Sequence, residues 1–202
     1  MIRNIIFDMG WVLFRYEPKQ YVVERFPNPE DAELVLRELF DHPDWIKLDY
    51  GTVTEEEYIR SVLNRLPERL WADTRWLFEN WDHLFEVIPE TQILARDLKQ
   101  NGYRLFLLSN MGMRYHRFYR TVPATQYVDG AVISAEEHCI KPEPQIYRVL
   151  FERYALSPEE CFFIDDRPEN IEAGRKFGMQ GFIYGQDVEE LKSALREAGV
   201  RI

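Results

Sequence analysis

A parallel α/β sheet with a block of helices inserted after its first strand is the fold class this sequence predicts, and three observations carry it. A short apolar run, Asn4-Ile5-Ile6-Phe7, stops abruptly at Asp8 and a glycine-containing turn. That pattern suits a strand buried on both faces, with one carboxylate delivered to the rim of a sheet. Residues 16–88 then show helical spacing and no convincing strand. From Pro89 onward the pattern alternates between strand and helix, as parallel strands joined by crossover helices require.

Each element follows from its own pattern. In the helical block, apolar residues recur three and four apart at Ala32, Val35, Leu36 and Leu39, at Tyr58, Ile59, Val62 and Leu66, and at Leu70, Leu77, Trp81 and Leu84. Beyond it the expected order is helix 90–101, strand 104–108, helix 114–120, strand 130–134 and helix 143–154. Strand 161–164, helix 168–177, strand 181–184 and helix 188–198 complete the alternation. Gly102, Gly178 and Gly199 each follow a helical pattern, where a left-handed carboxyl-terminal cap is wanted. The expected organisation is a core made of residues 1–15 and 89–202, interrupted by a helical cap at 16–88. There is no internal repeat and no low-complexity linker.

Composition sets the outer bounds. At 202 residues, 46% apolar and 30% charged, the chain has the make-up of a water-soluble globular protein with one ordinary core. A formal charge of −10 excludes a sequence-independent nucleic-acid surface, which needs a stripe of Lys and Arg. No signal-peptide pattern and no apolar stretch of membrane-spanning length is present, so a cytoplasmic protein without a membrane partner is expected, as a monomer or weak homodimer. Cys139 and Cys161 form no Cys-x-x-Cys pair and read as buried thiols. His42, His83, His116 and His138 have no metal-binding spacing.

The strand ends carry the chemistry. The first strand finishes at Asp8, the run Leu105-Phe106-Leu107-Leu108 at Ser109-Asn110, and Cys161-Phe162-Phe163-Ile164 at Asp165-Asp166. If these strands are parallel neighbours, their polar ends converge in one crevice, and Lys141 in the loop before Pro144 can reach it. Three carboxylates, a hydroxyl, an amide and an ammonium form an inventory suited to phosphate and a metal ion. Taken singly, Asp165-Asp166 could be a capping pair, Ser109 a helix cap and Lys141 an exposed loop lysine.

The segments Phe7-Asp8-Met9-Gly10-Trp11-Val12, Leu108-Ser109-Asn110, Lys141-Pro142-Glu143-Pro144 and Ile164-Asp165-Asp166-Arg167-Pro168 resemble, in order and across the whole chain, the four motifs of the haloacid dehalogenase superfamily. The resemblance implies a Rossmann-like core under a helical cap. Within the superfamily the chain looks most like phosphatases of small phosphorylated metabolites, including the subgroup acting on glucose 1-phosphate, whose first motif is also Asp-x-Gly. It implies Asp8 as a nucleophile that forms an aspartyl-phosphate. It implies Mg²⁺ held by Asp8, the Gly10 carbonyl and Asp166, with Asp165 in support. Ser109 and the Asn110 N–H would grip the phosphoryl oxygens, Lys141 would neutralise charge, and Met9 and Trp11 would adjoin the substrate. Trp11 could equally pack beneath the cap. Of the cap tryptophans Trp45, Trp71, Trp76 and Trp81, core packing is expected above all for Trp81, which shares helical spacing with Leu77 and Leu84.

One position departs from the family pattern. Most phosphatases of the superfamily carry a second Asp two residues after the nucleophile, as general acid and base; here that residue is Gly10. Glu17, Asp49 or another cap acid could replace it, and the sequence selects none. Two alternatives stay open: a metal-independent haloacid dehalogenase, and a catalytically weakened protein that binds a phosphorylated ligand.

Overall fold

The computed structural model describes all residues from Met1 to Ile202. Its centre is a five-stranded, fully parallel sheet. The strands are β1 (Asn4–Phe7), β4 (Arg104–Ser109), β5 (Gly130–Ile133), β6 (Cys161–Asp165) and β7 (Gln180–Ile183), in the spatial order β5-β4-β1-β6-β7. The chain first builds outward from β1 through β4 to β5 and then returns to the other side with β6 and β7. That reversal places a topological switch beside β1, where open α/β sheets form their crevice.

Period-two alternation divides the strands between two cores. Ile5 and Phe7, Leu105 and Leu107, and Phe162 and Ile164 face the larger apolar cluster, which continues into the cap helices. Ile6, Phe106, Leu108 and Phe163 face the smaller one, closed by Ile146, Tyr147 and Leu150. Both faces are covered, so the strands read as unbroken apolar runs rather than alternating ones.

The crossover helices start and stop where local chemistry allows. α6 (Pro89–Gln100), α9 (Pro144–Tyr154) and α10 (Pro168–Arg175) each begin on a proline, whose missing N–H costs nothing in a first turn. The last helix, α11 (Val188–Glu197), is capped by the Asp187 carboxylate, which accepts from the N–H groups of Glu189 and Glu190. Gly102, Gly178 and Gly199 adopt φ of +89°, +100° and +81° after their helices, as left-handed caps require. Cys139 and Cys161 are both free and buried. No helix is long and apolar enough to cross a membrane.

Between β1 and α6 the chain is mainly helical: α1 (Pro18–Arg25), α2 (Pro29–Val35), α3 (Ile46–Asp49), α4 (Glu55–Arg65) and α5 (Trp71–Asn80). A reciprocal capping box of Thr54 and Glu57 starts α4. The block is not free of strands, however. β2 (Phe14–Arg15) and β3 (Glu86–Val87) pair antiparallel, Phe14 with Val87 and Arg15 with Glu86. A two-residue strand has no periodicity to betray it, and this ladder exists only because both ends of the block meet. The helix expected at 114–120 is likewise shorter, α7 (Tyr115–Phe118), and tightens into a 3₁₀ turn at Tyr119–Thr121.

Candidate active site

Strand register assembles the site. Phe7 pairs with Ile164 on one side and Leu107 on the other, which brings Asp8 level with Asp165 and one step short of Ser109. The Asp8 N–H continues the ladder by donating to the Ile164 carbonyl at 2.9 Å. The loop that follows is wound tightly on itself: the Met9 carbonyl accepts from the N–H groups of Val12, Leu13 and Phe14, and Trp11 takes a positive φ of 57°.

At the centre, the Lys141 ammonium lies 2.9 Å from Asp8 Oδ1 and 2.7 Å from Asp165 Oδ2, and the three side chains are almost wholly buried. Asp165 is fully engaged, because the Asn170 amide and the Arg167 N–H donate to it as well. Asn170 thus holds Asp165 in place. Asp8 Oδ1 also accepts from the Met9 N–H at 2.7 Å, so Oδ2 is left without a partner. Asp166 is half-buried and no other residue pairs with its carboxylate. Oxygens of Asp8, Asp165 and Asp166 lie within 4.8 Å of one another. Three carboxylates against one ammonium leave two negative charges, and the donors are all oxygen, which fits a small divalent cation.

The charge balance shows in the acidities. Burial pushes Asp8 up to about 6; Lys141 opposes this, and the Asp165 charge adds to it. Burial works against the charge on Lys141, but Asp165 and Asp8 together hold its ammonium above the ordinary lysine value. Burial and Asp165 also raise Asp166.

The remaining expected residues divide clearly. Ser109 is buried at the end of β4 and lines the crevice with Asn110. The Asn110 side chain clamps the lysine loop, donating to the Lys141 carbonyl at 2.9 Å and accepting from its N–H at 2.7 Å. That clamp, which the sequence did not suggest, explains why Lys141 can be buried. Met9 corrects the expectation: its side chain is fully buried in the core, away from the cavity, and only its N–H turns toward Asp8. Trp11 and Gly10 both line the cavity.

A cavity of about 910 Å³ opens between sheet and cap, with Asp8, Asp166 and Lys141 at its floor and Trp11, Tyr16, Trp45, Phe78 and Trp81 on its walls. Trp81 is also core, as expected, while Trp71 and Trp76 are exposed elsewhere. Two further residues were missed. Ser134, the first residue past the end of β5, donates its hydroxyl to the Asp49 carbonyl in α3 at 2.6 Å, tying cap to sheet. Arg114 lies under the Phe78 and Trp81 rings and pairs with Glu55 at 2.5 Å and with buried Asp82 at 3.6 Å. Ser134 is a small polar residue directly after an apolar strand, a signal that was readable; Arg114 had none.

Fold and site together define an α/β protein with an acid–lysine crevice roofed by a helical cap, the layout of an enzyme. The chain belongs to the haloacid dehalogenase-like hydrolases, whose family model matches residues 2–178. It is 23% identical over 158 residues to a flavin mononucleotide hydrolase of Arabidopsis thaliana, covering 78% of this chain and 63% of that protein's length. It is 26% identical over 203 residues to a phosphorylated carbohydrates phosphatase of Thermotoga maritima, covering 96% and 90%. Among solved structures it resembles a family enzyme of Bacteroides thetaiotaomicron in complex with magnesium and inorganic phosphate, with a TM-score of 0.71, 21% identity and 95% and 99% coverage.

Proposed function

We propose that the protein is a Mg²⁺-dependent phosphatase of small phosphorylated metabolites that works through an aspartyl-phosphate on Asp8. The observation that carries this is the Lys141 bridge between Asp8 and Asp165, beside a partnerless Asp166 and beneath a large cavity. An oxygen of Asp8 attacks phosphorus, the bond to the ester oxygen breaks, and its electron pair leaves with the alcohol. Water then attacks the phosphoryl group and returns Asp8 to its carboxylate. Ser109, the Asn110 N–H and Lys141 hold the phosphoryl oxygens throughout, since phosphoryl transfer depends chiefly on positioning and charge. Asp8, the Gly10 carbonyl and Asp166, with Asp165 in support, would hold Mg²⁺, which would supply positive charge to the phosphate and the nucleophile.

The relatives named for hydrolysing flavin mononucleotide and phosphorylated carbohydrates support a phosphomonoester as substrate. The aromatic walls suit a leaving group with a flat or apolar face, and a sugar ring such as that of glucose 1-phosphate meets this requirement. Turnover of a panel of phosphorylated metabolites with Mg²⁺, with EDTA, and with Asp8→Asn tests the reading. Activity is expected only in the first arm, with beryllium trifluoride captured by wild type and not by the variant. Phosphate release that survives EDTA would contradict the metal dependence, and halide release from a 2-haloacid in EDTA would instead match the metal-independent dehalogenase chemistry. Glucose 1-phosphate is expected to turn over faster than glucose 6-phosphate.

A further inference from the structure

The position that would ordinarily hold a proton donor is Gly10, so the leaving oxygen needs a proton from elsewhere. The acids that line the cavity are Asp8, Asp49, Glu55, Glu57 and Asp166. Asp8 and Asp166 sit on the floor, at the phosphoryl end. Glu55 is occupied by Arg114 at 2.5 Å, and Glu57 by the N–H and hydroxyl of Thr54, both at 2.8 Å. Glu17 does not line the cavity. The cavity's histidine, His116, is paired with Glu136 at 2.6 Å. Of the cap acids that line the cavity, Asp49 alone presents a carboxylate with no hydrogen-bond or ion-pair partner.

Its place is fixed by the core rather than by the cap alone. The Asp49 carbonyl accepts from Ser134 Oγ at 2.6 Å, and the Tyr50 carbonyl lies 2.8 Å from His138 Nδ1. Gly51, at a φ of +61°, passes so close to the Ala135 carbonyl that a Cβ would stand 2.2 Å from that oxygen. The end of α3 is therefore stapled to the segment after β5, and Asp49 is carried over the crevice on a rigid turn.

We propose that Asp49 is the proton donor and acceptor of this enzyme, replacing the acid absent at Gly10. The inference rests on the phosphatase reading. As the bond from phosphorus to the ester oxygen breaks, that oxygen takes the proton of the Asp49 carboxyl and leaves as a neutral alcohol. The Asp49 carboxylate then takes a proton from water as the water oxygen bonds to phosphorus and the bond to Asp8 breaks. Phosphate is released, and both carboxyl groups return to their starting forms. Burial, reinforced by the charge on Asp8, sets Asp49 at about 7, within reach of both forms near neutrality. Tyr16 is the rival donor: its hydroxyl has no partner, and burial with the neighbouring Asp49 charge holds its proton tightly.

Phenyl phosphate and p-nitrophenyl phosphate separate the roles, because they match in shape but only the first leaves poorly without a proton. In Asp49→Asn, kcat for phenyl phosphate is expected to fall about 10²- to 10⁴-fold. It should fall far less for p-nitrophenyl phosphate, with KM nearly unchanged for both and no loss of melting temperature. Adding Gly10→Asp to Asp49→Asn is expected to recover much of the phenyl phosphate activity, since a Cβ at Gly10 meets nothing within 4 Å. Equal losses on the two esters, or none, would overturn the inference while leaving the phosphatase reading intact. So would Tyr16→Phe showing the selective loss in place of Asp49→Asn. A wild type inert toward both esters would overturn the phosphatase reading, and this inference with it.

Discussion

The Lys141 ammonium stands between Asp8 and Asp165, 2.9 Å and 2.7 Å from their oxygens, with only 1% of its side chain exposed. One cation thus serves two carboxylates, and its removal strands both. Lys141→Met is expected to cost about 3–5 kcal/mol of stability, the usual penalty for orphaning a buried charge. Calorimetry or urea unfolding measures it. Lys141→Arg should not restore activity, because a planar fork cannot replace a point charge in so enclosed a space.

Asp8 should itself reduce the stability of the metal-free protein at neutral pH. Its carboxyl rises from 3.8 to about 6, chiefly by burial, so folding disfavours its charged form. Its favourable contribution is complete below about 3.8 and is lost as pH rises through about 6. Asp8→Asn is therefore expected to be inactive yet more stable than wild type by about 3 kcal/mol at most above pH 7, with the difference vanishing near pH 3. Equal stability of the two proteins at high pH would contradict this.

Mg²⁺ should raise the melting temperature by relieving the two excess negative charges of the crevice. At about 100 times its Kd the gain is about 2.7 kcal/mol, and EDTA should reverse it. Asp166→Asn is expected to abolish the response while leaving the metal-free protein folded, because no other side chain depends on Asp166.

Two glycines that line the same cavity should respond in opposite ways to substitution. Gly51→Ala places a methyl against the Ala135 carbonyl at a positive φ, and is expected to cost about 1–3 kcal/mol and to loosen the cap turn. Gly10→Ala meets open space at an ordinary backbone conformation, and its stability should stay within about 0.5 kcal/mol of wild type. Thermal melts of the pair check both.

Arg114→Met should separate cap from core. Asp82, with no exposed side-chain surface, would keep only Arg117 at 3.0 Å, so a loss of about 3 kcal/mol or more is expected. Limited proteolysis of the cap should speed up accordingly.

What the sequence made legible was whatever short-range pattern encodes. Asp8, Ser109 and Asp165 each terminate an apolar run, and burial on both faces left those runs only one reading. Lys141 needed the resemblance, since a lysine before Pro142 is otherwise unremarkable in a loop. The Asn110 clamp, the Asp165 partner of Asn170 and the choice of Asp49 over Glu17 depend on contacts between residues far apart in the chain, which no local period records. Met9 misled because adjacency to Asp8 in sequence puts its side chain on the opposite side of the strand's continuation, into the core.

The ladder of β2 and β3 has a bearing on how such a protein can change. Its two strands pair with each other and with no strand of the main sheet, so Phe14 and Val87 fix where the chain departs and where it re-enters. Everything between them is a cassette whose ends are clasped independently of its contents. Helices there can be lengthened, shortened or exchanged without altering the register that sets Asp8 beside Asp165. Selectivity can therefore drift through the cassette while the nucleophile and the acids at the strand ends are inherited intact, so long as the turn that carries Asp49 is kept.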